Sequence, residues 1–155
     1  MSNLNTSVRS LLIPLTHDTL LLPNASLAEI VNYSPPVPVE DSPEWFLGML
    51  PWRGLQVPLI SFENVRGEST ADQENKQRIA ILNAPSGNDS LPFYGMVVQG
   101  IPHLIMASQS ILSSLSEQAD EMGVLAHVLV EAEPAIIPDL EGLESMLLEK
   151  SLNVA

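Results

Sequence analysis

Residues 48–62 read Gly-Met-Leu-Pro-Trp-Arg-Gly-Leu-Gln-Val-Pro-Leu-Ile-Ser-Phe. Two apolar runs, 49–50 and 57–60, flank a Trp-Arg-Gly tripeptide. Glycine takes a positive φ without steric cost, so Arg53-Gly54 is expected as the turn between two strands. Pro51 and Pro58 lack a ladder donor, which predicts sheet edges or bulges for both. The stretch is therefore expected as a hairpin whose bend displays a single arginine.

The rest of the chain offers similar pieces. The apolar runs 11–15 and 20–22, split by Thr16-His17-Asp18-Thr19, have hairpin spacing. Pro23-Asn24-Ala25-Ser26 then breaks the pattern, and periodicity leaves 27–31 open between a strand and a helical turn. Pro35, Pro36 and Pro38 predict an extended connection over 34–39. Ser42 as N-cap, Pro43 at the first helical position and Gly48 as stop predict a short helix between them. Residues 63–77 are polar and predict a mobile loop, with strands at 78–82 and 93–98 and a continuation of the latter through 100–106. Ile111, Leu112, Leu115 and Ala119 share one face of a predicted helix over 110–121. Residues 125–132 alternate as a strand with His127, Leu129 and Glu131 on one side; another strand follows at 135–138 and a helix at 144–152. Many short strands at even spacing, with many prolines, indicate an all-β barrel or sandwich.

At 155 residues the chain is the size of one domain. We expect residues 1–7 as a flexible N-terminus, 8–150 as a single domain and 151–155 as a tail. Aromatic content is only 5%, so an aliphatic core is expected. Cysteine is absent, which excludes disulfides, thiol nucleophiles and thiolate metal sites, and fits a reducing compartment. The apolar run at 11–15 is too short for a signal or a membrane span. The formal net charge is -13. Such a surface repels phosphate backbones and anionic headgroups, so nucleic acid and direct membrane contact are not expected, whereas a protein with a basic patch is suited. The acidity equally serves simply to keep a protein dispersed.

The hairpin stretch resembles the most recognisable segment of the CheW-like family, the adaptor domains of bacterial chemosensory arrays. There a strand begins at a glycine, runs into Asn-Leu-Arg-Gly, and continues into an apolar strand with Pro and usually Asp. Here Pro51-Trp52-Arg53-Gly54 stands for that motif, Ser61 for the Asp, and Gln99 for a second Asp further on. Leu27-Ala28-Glu29-Ile30 lines up with the family's Val-x-Glu-Ile run, and residues 135–143 are similar to its closing strand and Asp-Leu. The resemblance covers roughly residues 8–150. It implies two five-stranded SH3-like barrels, with a few short helices, packed around a shared apolar interface. It also implies a cytoplasmic, non-catalytic adaptor coupling a chemoreceptor tip to a CheA-type histidine kinase. The receptor would dock in a groove near Leu27, Glu29, Arg53 and Ile79, and Trp52 and Gly54 would shape the hairpin turn. The chain resembles a divergent member of the family, similar to the ChpC or PilI adaptors of type IV pilus chemosensory systems.

Chemistry of other kinds finds little support. His17-Asp18 sits in a predicted turn as a solvated pair, and His103 lies among apolar residues as a core or rim histidine. His127 and Glu131 are four residues apart, about 13 Å on strand geometry, too far for one metal ion to bridge. Zinc sites want three or more close ligands, so no metal is expected. No Gly-x-Ser-x-Gly elbow or glycine-rich phosphate loop occurs, so neither catalysis nor a cofactor is expected. Arg53 remains as either a solvated turn residue or a planar fork that grips partner carboxylates. Trp45 and Trp52 lie near it, with core filling expected more for Trp45 than for Trp52. Two other classes stay open: a small all-β hydrolase with an unrecognised site, and a structural assembly module.

Overall fold

The structure, a computed structural model, describes residues 7–67, 77–87, 89–108, 112–116 and 122–154. In chain order these form β1 (Ser7–Pro14), β2 (Thr19–Pro23), β3 (Leu27–Asn32), β4 (Phe46–Trp52) and β5 (Leu55–Ile60). Helix α1 (Phe62–Val65), β6 (Arg78–Asn83), β7 (Phe93–Val98) and β8 (His103–Ser108) follow. The chain closes with β9 (Leu112–Ser116), β10 (Val124–Val130), β11 (Glu133–Pro138) and α2 (Leu140–Val154). One sheet has the order β3-β6-β7-β5-β4 and the other β8-β1-β2-β11-β10-β9. Neighbours are antiparallel except at β5–β7 and β2–β11. The mainly-β class is as the sequence predicts, and the second sheet carries one strand more than the expected five.

Both sheets rest on one apolar cluster. Leu11, Ile13, Leu20 and Leu22 enter it from the six-stranded sheet, and Ala80, Leu82, Tyr94, Met96 and Val98 from the five-stranded one. Phe62 and Val65 of α1 and Leu143 and Leu147 of α2 add to it. The i, i+4 spacing of the two leucines puts them on one face of their helix. The other face of β6 and β7 is buried as well: Ile79, Ile81 and Val97 join Leu50, Trp52, Val57 and Leu59 in a second cluster. A third, with Leu21, Val128, Val130 and Ala135, lies on the opposite face of the six-stranded sheet. The core is aliphatic in the main, although Tyr94 and Phe62 are its largest fully buried side chains.

Several local expectations give way to pairing. Residues 42–47 form no helix: Ser42 Oγ donates to the Val39 carbonyl at 2.7 Å instead of accepting from a helical N–H, and Phe46 already belongs to β4. Phe46, Leu50 and Trp52 are buried with strand periodicity, and the ladder to β5 overrides the capping signal. The helix expected over 110–121 is a strand at Leu112–Ser116, recruited by the edge of β10; residues 109–111 and 117–121 lie outside the described residues. The loop expected from residue 63 begins as α1, with Glu63 and Val65 buried; residues 68–76 lie outside the described residues. Residues 100–106 do not extend β7, because β8 crosses to the other sheet and pairs with β1. Residues 27–31 are a strand. Pro51 sits on the edge strand β4, but Pro58 is in β5, an inner strand, where the ladder to β7 begins only at Leu59.

Helix α2 begins at Leu140, earlier than the expected 144, because the Asp139 carboxylate accepts from Gly142 N–H at 3.1 Å, a capping contact. Two polar contacts seat it. Glu144, buried, accepts from both the backbone N–H and the hydroxyl of Ser86. Tyr94 O–H donates to the Leu140 carbonyl at 3.0 Å. Burial pushes the Tyr94 phenol well above the ordinary tyrosine range, and the Glu144 and Asp139 carboxylates add to the rise. The folded state therefore holds this proton where the unfolded chain, ionising near about pH 10, releases it. The contribution is complete below about pH 10 and is lost as the pH climbs towards the folded value. Thermal unfolding midpoints should accordingly fall above about pH 10. Tyr94→Phe should flatten that fall while costing about 0.5–1.5 kcal/mol at neutral pH for the lost hydrogen bond. An equally steep alkaline fall in the variant would place its cause elsewhere.

Candidate functional site

At the tip of the β4–β5 hairpin both central residues have positive φ, 49° at Arg53 and 77° at Gly54. This is the pattern of a type I′ turn, whose twist matches that of the flanking strands. A Cβ at position 54 would meet open space, so the demand for glycine there is conformational. Trp52 and Leu55 pair across the base of the turn.

The hairpin meets β3. Glu29 Oε1 accepts from Trp52 Nε1–H at 2.9 Å and from Arg53 Nη2–H at 3.0 Å. The Arg53 guanidinium lies 4.8 Å from the centroid of the Trp52 ring, and that ring packs edge-on to Phe93 at 4.9 Å. β3 and β4 are the first and last strands of the five-stranded sheet. Their side-chain contact through Glu29 means that the sheet curls into a partly open barrel, with no backbone ladder between β3 and β4.

The structure thus gathers Glu29, Trp52, Arg53 and Gly54 into one surface feature. Leu27, half-buried on β3, packs against the shared core. Ile79 is separated from them by depth: it has 0% exposure and fills the second cluster beneath Trp52, so it supports the site from within. The two tryptophans also exchange their expected roles. Trp52 is the buried one, while Trp45 is half-buried and stacked on Phe46. Arg53 keeps 67% of its side chain exposed against 38% for Glu29. An ion pair so open to water contributes only about 0–1 kcal/mol, and the cation–π contact about 0.5–1 kcal/mol. These contacts aim the guanidinium more than they stabilise the fold.

With this geometry in hand, comparison with known families is decisive. A CheW-like domain profile matches residues 9–146. The chain belongs to the CheW-like domain family. Among 15 solved chains that match is the scaffolding protein TtCheW from Thermoanaerobacter tengcongensis, with 15% identity and a TM-score of 0.73. The alignment covers 90% of this chain and 89% of that one, so the two share the fold. No curated protein matches the sequence.

One departure from the family pattern, at Ser61, has a local explanation. Ser61, in place of Asp, is the N-cap of α1 and accepts from Asn64 N–H at 3.2 Å; serine and aspartate serve that position equally. Gln99 N–H donates to the Pro14 carbonyl, joining the end of β7 to that of β1. Helix α1 also clamps the β1–β2 turn. Arg66 Nη1 meets Asp18 Oδ2 at 2.6 Å and Thr16 N–H donates to Glu63 Oε1 at 3.3 Å, so Asp18 is ion-paired rather than simply solvated.

Other sites of chemistry are sparse. Among the described residues no group of three or more His, Cys, Asp or Glu is placed to hold a metal ion. Among them, too, no helix is long and apolar enough to cross a membrane. A cavity of about 250 Å³ brings Thr19, His103 and Glu133 to one mainly apolar lining. His103 is exposed on β8, not buried as a core histidine. A hydroxyl nucleophile needs a base within hydrogen-bond reach, and no hydrogen bond joins any two of these three groups among the described residues.

The contrast between neighbours in the turn is measurable. Trp52→Ala should cost about 3–5 kcal/mol in urea unfolding, as a large core truncation does. Arg53→Glu should cost less than about 2 kcal/mol, the most that its exposed ion pair and cation–π contact supply together. Gly54→Val should cost about 1–3 kcal/mol by forcing a β-branched residue to positive φ. Equal costs for Arg53→Glu and Trp52→Ala would make Arg53 part of the structural frame.

Proposed function

We propose that this chain, as one CheW-like domain over residues 8–150, is a non-catalytic cytoplasmic adaptor of a bacterial chemosensory system. It couples the cytoplasmic tip of a chemoreceptor to a CheA-type histidine kinase, in chemotaxis or in type IV pilus twitching motility. The observation that carries this reading is the Arg53 cluster. In a chain of net charge -13, an exposed guanidinium is held on a rigid turn by Glu29 and Trp52. Arg53 donates to Glu29 through Nη2 only, and its remaining N–H groups have no partner among the described residues. A guanidinium has five donors, so a fork remains for a carboxylate or carbonyl on a receptor helix. Glu29 on β3 flanks that approach, and Leu27 of the same strand packs against the core behind it. For the kinase, β8 offers exposed apolar surface in Leu104 and Met106. That a structurally similar chain is described as a scaffolding protein is in keeping with this role.

The reading is tested by affinity for receptor-tip and kinase fragments, measured beside thermal unfolding. Arg53→Glu should weaken receptor-tip binding by about 2–5 kcal/mol, since charge reversal at a desolvated contact leaves both sides unpaired. Arg53→Lys, which keeps the charge but loses the planar fork, should fall between it and the parent. Unchanged affinity for both fragments in Arg53→Glu would remove Arg53 from the interface. A parent protein that binds neither fragment would favour an assembly module instead.

A further inference from the structure

The five-stranded sheet ends at β4, and the chain covers that edge itself. Residues 33–39, with prolines at 35, 36 and 38, run beside β4 as a strap. They meet it through one reciprocal pair: Val37 N–H donates to Met49 O and Met49 N–H to Val37 O, each at 2.8 Å. Gly48 permits the approach. Its φ is 140°, and a Cβ at this position would collide with the Val37 carbonyl.

The direction of each backbone group then matters. Along an antiparallel strand, successive residues bond to opposite sides. Val37 faces β4, so residues 36 and 38 face outward from the strap, and both are proline. In β4, residues 49–52 pair with β5 in regular register. Met49 faces away from β5 towards the strap, so the next residue facing that way is 51, again a proline. The single outward N–H of this stretch, that of Met49, is consumed by Val37. Around this pair an incoming strand finds no free donor on the strap or on β4.

We infer that the strap is an edge guard, which stops β4 from pairing with the same strand of a second copy. The apolar run Phe46-Leu47-Gly48-Met49-Leu50 is the kind of edge that templates its own pairing when left open. Proline is one of the residues that blunts such an edge. The inference does not depend on which partner the hairpin tip binds.

Two measurements test it on the full chain. Pro36→Ala/Pro38→Ala restores two outward donors on the strap without touching a buried side chain. Sedimentation velocity should then show concentration-dependent association at least tenfold tighter than the parent's, whereas a size distribution identical to the parent's would overturn the guard. Amide hydrogen exchange on the parent protein stands independently of whether the variant folds. The Met49 amide should exchange within tenfold of the rate of Leu50, which bonds to β5. Exchange of Met49 as fast as an unstructured amide would mean that the strap does not close the edge, and would also overturn the proposal.

Discussion

A single carboxylate oxygen, Glu29 Oε1, bridges the two end strands of the five-stranded sheet. Its two donors come from the far end of the sheet order, Trp52 Nε1 and Arg53 Nη2. The indole suits this position because it satisfies three surfaces at once. Its N–H reaches Glu29, its edge meets Phe93, and one face lies under the guanidinium. Tryptophan buried this deeply needs a partner for its N–H, and a carboxylate accepts more strongly than a neutral group. The arginine is therefore aimed by the same contact that joins the edges, so the site and the fold share a cause.

That barrel is in turn fixed to the other sheet by the common apolar cluster, into which both sheets and both helices contribute. Polar groups at its margin are matched in place. Glu144 takes two donors from Ser86, Tyr94 donates to Leu140, and Arg66 pairs with Asp18 across to the β1–β2 turn. Each joins segments more than 40 residues apart in sequence, so loss of one loosens a junction between elements rather than within one.

Much of this was legible in the chain, and what was not has a common reason. The β4–β5 hairpin announced itself because a turn and its flanking apolar runs are local, and the alternation at 125–132 did so for the same reason. The helices expected at 42–47 and over 110–121 failed because neighbouring strands supplied hydrogen-bond partners that local capping and periodicity cannot see. Arg53 and Glu29 were named together as candidates through a family resemblance. That they touch, and that Trp52 rather than Trp45 is buried between them, depends on contacts 23 and 24 residues apart with no local signal. Ile79 was misplaced for a related reason. Period 2 says which side chains of a strand share a face, but β6 lies inside the sheet with apolar clusters on both faces, so neither face reaches solvent.

In the proposed role, the electrostatics of Arg53 set how it would discriminate between ligands. At physiological salt, exposed charges are screened over about 8 Å, so the chain's large negative charge acts weakly on a distant anion and Glu29 acts strongly on the guanidinium beside it. Arg53 and Glu29 together present a nearly neutral, oriented pair rather than a bare cation. An anion approaching from the Glu29 side meets repulsion at contact, whereas one approaching the unpaired N–H groups meets donors held in a plane by the indole beneath. Net attraction is small in either case. What distinguishes one ligand from another is whether its acceptors match the exposed edge of the fork at hydrogen-bond distance, and this is a requirement of shape that a lysine in the same turn would not impose.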